Sequence, residues 1–226
     1  MWLKKLQYSI IIPTYNRAKT LALTLDSVCN QTLFPEKYEI LVIDDGSTDN
    51  TKEIVSAFRE QHSDYDIKYF YQKNAGPAKA RNLGIKESTG EIIFFTDDDC
   101  IVPQNWMETL LDGYKRYPEL AGVGGWHIPP AGEIKQSSIS RYIHFKSFFS
   151  HPFFKFFSQS YEIISNDPKL CFSTFAYNTA NVCYRRIILE EVNGFCEDFY
   201  WPGGEDQYLA LRITSAGHKI MYLPFH

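Results

Sequence analysis

Two short segments, "YSIIIP" (8–13) and "YEILVID" (38–44), are apolar almost without interruption. A strand that alternates apolar and polar residues covers one face of a sheet, whereas a run that is apolar on both faces belongs to a parallel sheet covered by helices on both sides. "IKYFYQ" (67–72) and "EIIFFTD" (91–97) continue the series. Between these runs lie Ala18 to Asn30, Asp49 to Glu60 and Pro77 to Glu87, each with apolar residues at helical spacing. Asp49 with Thr51 and Glu53 marks a helix start, and Pro77 suits a first helical turn. Four strands alternating with three helices predict an α/β fold with a mostly parallel central sheet flanked by helices.

The second half has a different texture. A helix is predicted from Asn105 to Tyr117, followed by the apolar stretch "AGVGGWHI" (121–128). An aromatic, irregular region then precedes "TANVCYRR" (179–186), a helix within "GGEDQYLALRI" (203–213) and the strand-like "KIMYLP" (219–224). No repeat, linker or low-complexity tract marks a boundary, so one domain over 1–226 is expected. A further C-terminal segment is expected beyond the abrupt end at Phe225 and His226.

Charge and cysteine usage narrow the partners. With 23 basic and 27 acidic residues the net charge is −4, which offers no global positive field for a nucleic acid. The five cysteines (Cys29, Cys100, Cys171, Cys183, Cys196) form no CxxC pair, and an odd number suits a reducing, cytoplasmic setting. The start "MWLKKLQYSIIIPTYN" is interrupted by polar residues and Pro13 too early for a secretory signal. No window reaches the roughly 18 apolar residues of a membrane span. Residues 139–161 are aromatic but carry Arg141, Lys146 and Lys155. They read either as a segment packed on the domain or as an interfacial one in peripheral contact with a membrane.

Ligands of open α/β sheets bind at the carboxyl ends of strands. Three polar clusters stand there: "PTYNR" (13–17), "DDGSTD" (44–49) and "DDD" (97–99). Two carboxylates 4 Å apart repel by about 4 kcal/mol at an effective dielectric of 20, so the triplet needs a positive partner. If the strand continues through it, Asp97 and Asp99 face one side and Asp98 the other. A divalent cation, Mg2+ or Mn2+, takes one or two carboxylates together with substrate phosphates. The alternative is a solvated turn capping the helix near Asn105. Within "DDGSTD", a strand-end carboxylate suits the ring N–H of a uracil, and Asp44 and Asp45 are equal candidates. Asp49 capping the next helix is compatible with that role.

The segments "SIIIPTYNR" (9–17), "VIDDGSTDNT" (42–51), "NAGPAKARNLGI" (74–85), "GEIIFFTDDD" (90–99), "NTANVCYRR" (178–186), "NGFCEDF" (193–199) and "GGEDQYLALR" (203–212) together resemble glycosyltransferase family 2. The resemblance spans nearly the whole chain. It implies a GT-A (Rossmann-like) fold and inverting transfer from a nucleotide sugar, UDP-linked by expectation. The acceptor would be a hydroxyl of a glycan or lipid-linked molecule, as in polysaccharide biosynthesis. Residues 1–103 would form the nucleotide-sugar-binding half and 104–226 the acceptor-binding half.

Carried over by position, the resemblance assigns Pro13, Tyr15, Arg17, Asp44, Asp45, Arg81, Asp97 and Asp98 to the nucleotide sugar. Asp99 and Asp97 would be metal ligands, Asp206 the catalytic base and Glu205 its acidic neighbour. Trp201 and Asn181 would meet the acceptor, with His127 near the donor pocket. The QxxRW-type motif of the family's processive synthases is absent. A histidine that often joins the metal in this family would fall beyond the chain end. The competing reading is a glycosyltransferase-like domain that binds nucleotide sugar or glycan without turnover, against which the unbroken set Asp45, Asp99 and Asp206 argues. A nucleotidylyltransferase or a dinucleotide oxidoreductase would need a Gly-rich loop after the first strand, and "IIPTYNR" has none.

Overall fold

The computed structural model describes residues 7–125, 179–199 and 204–223. Among them the strands are β1 (Tyr8–Thr14), β2 (Tyr38–Asp44), β3 (Asp66–Tyr71), β4 (Ile92–Phe95), β5 (Leu120–Gly125), β6 (Val182–Arg185) and β7 (Lys219–Leu223). The helices are α1 (Ala18–Cys29), α2 (Thr51–Gln61), α3 (Pro77–Glu87), α4 (Trp106–Arg116), α5 (Arg186–Glu191) and α6 (Glu205–Ser215). All seven strands form one sheet in the order β3-β2-β1-β4-β6-β5-β7. The first four are mutually parallel, β6 runs antiparallel to β4 and β5, and β5 pairs in parallel with β7.

The uninterrupted apolar strands are explained by two covered faces. Ile10, Ile12, Ile40, Val42 and Phe94 turn to one side, against Leu21, Leu25, Val55, Met107 and Leu110 of α1, α2 and α4. Ile11, Leu41, Ile43, Ile93 and Phe95 turn to the other, against Ala78, Ala80 and Ile85 of α3, Leu189 of α5, and Leu209 and Ile213 of α6. Each fully buried Ile, Leu or Phe contributes about 1.5–3 kcal/mol by leaving water. Helix α3 lies unusually close to the sheet, since a Cβ at Gly84 would come within 2.5 Å of Ile11 Cγ2.

The predicted strands and helices are present with small shifts of boundary. Strand β4 ends at Phe95 rather than at Asp97, and α2 begins at Thr51 rather than at Asp49. Helix α5 has six residues, too few for a periodic signal, and was not expected. Residues 139–161, His127 and Trp201 lie outside the described residues. Within the described residues no helix is long and apolar enough to cross a membrane.

Strand β1 lies between β2 and β4, so the order of strands reverses there, and the carboxyl ends of these three neighbours carry the three polar clusters. Side chains knit the first two clusters together. Asn16, in the left-handed region at φ 54°, donates its N–H to Ser47 Oγ at 2.8 Å and accepts the Thr48 N–H at 2.7 Å. The Asp49 carboxylate accepts the first amide of α1, Ala18 N, and the first amide of α2, Thr51 N, both at 3.1 Å. One side chain thus caps two helices.

Asp49→Ala is expected to cost about 1–2 kcal/mol, as the loss of a helix cap does, seen as a lower urea midpoint at unchanged slope. The Thr51 hydroxyl and the capped amides hold the Asp49 carboxyl below its ordinary value. Its contribution is therefore full above the ordinary carboxylate pKa and disappears as pH falls through the lowered one. Wild-type and variant midpoints should converge in acid.

Candidate active site

Because β4 stops at Phe95, the acidic triplet sits in a turn, closed by Cys100 N–H donating to Asp97 O at 3.2 Å. Strand alternation no longer applies, and Asp98 does not face away from its neighbours as expected. Arg17 Nη1 contacts both Asp98 Oδ1, at 3.2 Å, and Asp99 Oδ2, at 2.5 Å. Asp98 is buried, and that burial pushes its carboxyl above the ordinary range, Asp99 and Asp97 adding to the push and Arg17 opposing it. Asp97 turns instead to Arg81, whose Nη2 lies 3.1 Å from Asp97 Oδ1.

Arg81 is the pivot of the site. It projects from α3, is buried, and places its other terminal nitrogen 2.9 Å from Glu205 Oε1 at the start of α6. The Phe195 ring lies 5.6 Å from its guanidinium carbon, within cation–π range. Its Nε has no hydrogen-bond partner among the described residues. Asn82, the next residue of α3, accepts the Phe195 N–H at 2.8 Å and donates to Phe195 O at 2.9 Å, which fixes the "NGF" loop under Arg81. Gly194 in that loop has φ 60°, and a side chain there would meet Asn82 Oδ1 at 2.5 Å.

Asp44 ends β2 and Asp45 stands in the bend just after it, and the two take different partners. Asp44 accepts Ser47 N–H at 2.7 Å and the Tyr69 hydroxyl at 2.6 Å, and lines a cavity of about 430 Å3 with Ser47, Thr48, Asp49 and Tyr71. Asp45 lies on the α3 side, where its oxygens accept Gln72 Nε2 at 2.6 Å and the Ala75 and Gly76 amides at 2.9 Å each. It holds the entry to α3, where Gly76 has φ 95° and Pro77 follows. Pro13 is the penultimate residue of β1, before Thr14, and Tyr15 is exposed beyond the strand.

Glu205 and Asp206 open α6 after Gly204, which takes φ 95°. Glu205 is buried and turned to Arg81, while Asp206 is half-buried and accepts the Gln207 amide at 2.9 Å. Burial pushes the Asp206 carboxyl above its ordinary value, Glu205 adding to the push and Arg81 opposing it. Asn181 Oδ1 accepts the Trp106 indole N–H at 2.8 Å, which ties β6 to the start of α4. The structure thus gathers Arg17, Arg81, Asp97, Asp98, Asp99 and Glu205 into one ion-pair cluster beside Asp206, and leaves Asp44 with Ser47 and Tyr69.

A profile of glycosyl transferase family 2 matches residues 9–190. The chain belongs to this family. It is 42% identical to glycosyltransferase AglE of Haloferax volcanii over 218 residues, covering 95% of this chain and 63% of AglE. Against chondroitin synthase of Escherichia coli it is 31% identical over 242 residues, 92% of this chain and 32% of the synthase. This family 2 chain therefore spans less than two thirds of either relative.

Among solved structures it is similar to mannosyltransferase PcManGT of Pyrobaculum calidifontis in complex with GDP-Man and Mn2+, with TM-score 0.72 and 23% identity over 96% of this chain and 55% of that one. It is also similar to TarS of S. aureus in complex with UDP, with TM-score 0.71 and 21% identity over 96% of this chain and 58% of that one. These likenesses concern the fold, which is the GT-A fold that the motifs implied.

Ligand atoms of Asp97, Asp99 and Cys100 lie within 4.8 Å of one another. The two carboxylates are the hard oxygen donors that Mg2+ and Mn2+ take, so the donor set fits a divalent cation. Cys100 is a poorer donor, because burial, with Asp97 and Asp99 adding, pushes its thiol up to about 12. Sequence reasoning did not single out Asn82, Phe195 or Gln72. The first two stand in quoted motifs, "ARN" and "NGF", whose mutual contact only the fold reveals.

Arg81→Met leaves Asp97 and the buried Glu205 without their shared partner and is expected to cost about 3–5 kcal/mol in urea unfolding. Adding Glu205→Gln should restore part of that loss. Strictly additive losses would show that the two side chains act independently.

Proposed function

We propose that the chain carries the catalytic unit of an inverting glycosyltransferase. The unit moves one sugar from a nucleotide donor, UDP-linked in our reading, to a hydroxyl of a glycan or lipid-linked acceptor. The observation that carries this reading is the Arg81 bridge, which ties Asp97 of the acidic triplet to Glu205, the neighbour of Asp206. Residues assigned to the leaving group and the residue assigned to the acceptor proton are thereby held in one frame.

In this reading Pro13, Tyr15 and Asp45 receive the nucleoside. Asp45 lies on the α3 side with Arg81, and a carboxylate oxygen that already accepts a bond retains a second lone pair for a base N–H. Asp44, turned to Tyr69, is the weaker candidate. Asp97 and Asp99 would hold a divalent cation, Mn2+ or Mg2+, which supplies charge stabilisation to a departing diphosphate. Asp206 accepts the proton of the attacking hydroxyl as its oxygen bonds to the anomeric carbon. The bond from that carbon to the diphosphate breaks, its electron pair leaving with the nucleotide, and the configuration inverts. Burial and the Glu205 charge raise the pKa of Asp206 and so its basicity. Glu205, already committed to Arg81, serves to orient. Asn181 stays with the acceptor side as a proposal.

Asp206→Asn is expected to cut transfer by roughly 100-fold or more while leaving UDP affinity nearly intact in calorimetric titration; near-normal turnover would remove it from the base role. Since the base acts deprotonated, the rate should fall as pH drops through its raised pKa, placing the acid limb above the ordinary carboxylate range. Asp99→Ala should weaken Mn2+-dependent UDP binding, and unchanged affinity with and without Mn2+ would sink the cation site. Turnover across a panel of UDP-, GDP- and dTDP-sugars tests the donor.

A further inference from the structure

Asp99 has two claimants. Its Oδ2 pairs with Arg17 at 2.5 Å, and the same carboxylate stands with Asp97 and Cys100 in the candidate cation group. A guanidinium and a divalent cation cannot both take full advantage of one exposed carboxylate, because each repels the other at such range. The two arginines of the cluster differ in their freedom to give way. The Arg81 side chain is 6% exposed and gripped by carboxylates of two elements, whereas the Arg17 side chain is 53% exposed, on the loop ahead of α1.

We propose that Arg17 is an exchangeable counter-ion of the acidic turn. It leaves Asp99 when the cation binds, and it is received by the diphosphate of the donor. Cation and nucleotide therefore load together. This rests on the reading of Asp97 and Asp99 as cation ligands. Asp98 gains a role of its own: buried, and 3.2 Å from Arg17 through Oδ1, it tethers the guanidinium beside the site after Asp99 has let go. Arginine suits the transfer, being permanently charged and able to pass between carboxylate and phosphate oxygens with its donors satisfied at either end.

The test is Mn2+ titration of the 226-residue chain, followed by the electron paramagnetic resonance signal of free Mn2+, with and without saturating UDP. Arg17→Gln should bind Mn2+ alone about two- to fivefold tighter than wild type, the weight of a half-exposed ion pair released. Lys19→Gln, an equal change of charge at an exposed site two residues away, should match wild type. With UDP present the order should close or reverse, since the variant lacks the group that receives the diphosphate. Equal Mn2+ affinity of wild type and Arg17→Gln without UDP would overturn the exchange, as would an equal gain from UDP in both. Failure of every variant to bind Mn2+, with or without UDP, would instead overturn the cation site itself.

Discussion

A single buried guanidinium holds the functional end of this molecule together. Burying a charge costs several kcal/mol unless its partners are well placed, and Arg81 has two carboxylates and the Phe195 ring. Those partners come from the turn after β4, from the first turn of α6 and from the loop after α5, remote in sequence and joined only by the fold. Asp97 and Glu205 are both acidic, and Arg81 is the cation they share. With it, the position of the acidic triplet dictates the position of the helix that presents Asp206.

The same economy of charge runs through the neighbouring loops. Asp45 pins the start of α3, Asp49 caps α1 and α2 together, and Asp44 orders the turn at Ser47. These acidic side chains organise backbone amides at the carboxyl ends of β1 and β2, so the crevice is shaped before any ligand enters. Preorganisation of that kind lowers the ordering cost of binding. It also means that a carboxylate in a recognition motif is not automatically free for a ligand. Asp44 in particular is engaged by the Ser47 amide and the Tyr69 hydroxyl.

Much of the fold was legible in local pattern. Doubly apolar runs forecast a sheet covered on both faces, and the βαβ alternation placed α1 to α4 within a residue or two. The site was legible as motifs but not as contacts. Whether Asp44 or Asp45 faces α3 depends on which face each strand residue turns to, which sequence spacing alone does not fix. Asp98 faces away only if the strand runs through Asp97, and the early end of β4 at Phe95 converts that alternation into a turn. The pairing of Arg81 with Glu205 spans 124 positions and carries no local signal.

The division of labour between Glu205 and Asp206 follows from helix geometry. Successive residues of a helix project about 100° apart, so only one of an adjacent pair can point at a given buried partner. Here Glu205, the longer side chain, reaches Arg81 and surrenders its charge to a salt bridge, while the shorter Asp206 stays half-buried with a raised pKa. One of two adjacent carboxylates is thus engaged by a buried cation, while the other sits in surroundings that raise its pKa. Gly204, in the left-handed region at φ 95°, opens the helix that carries both of them.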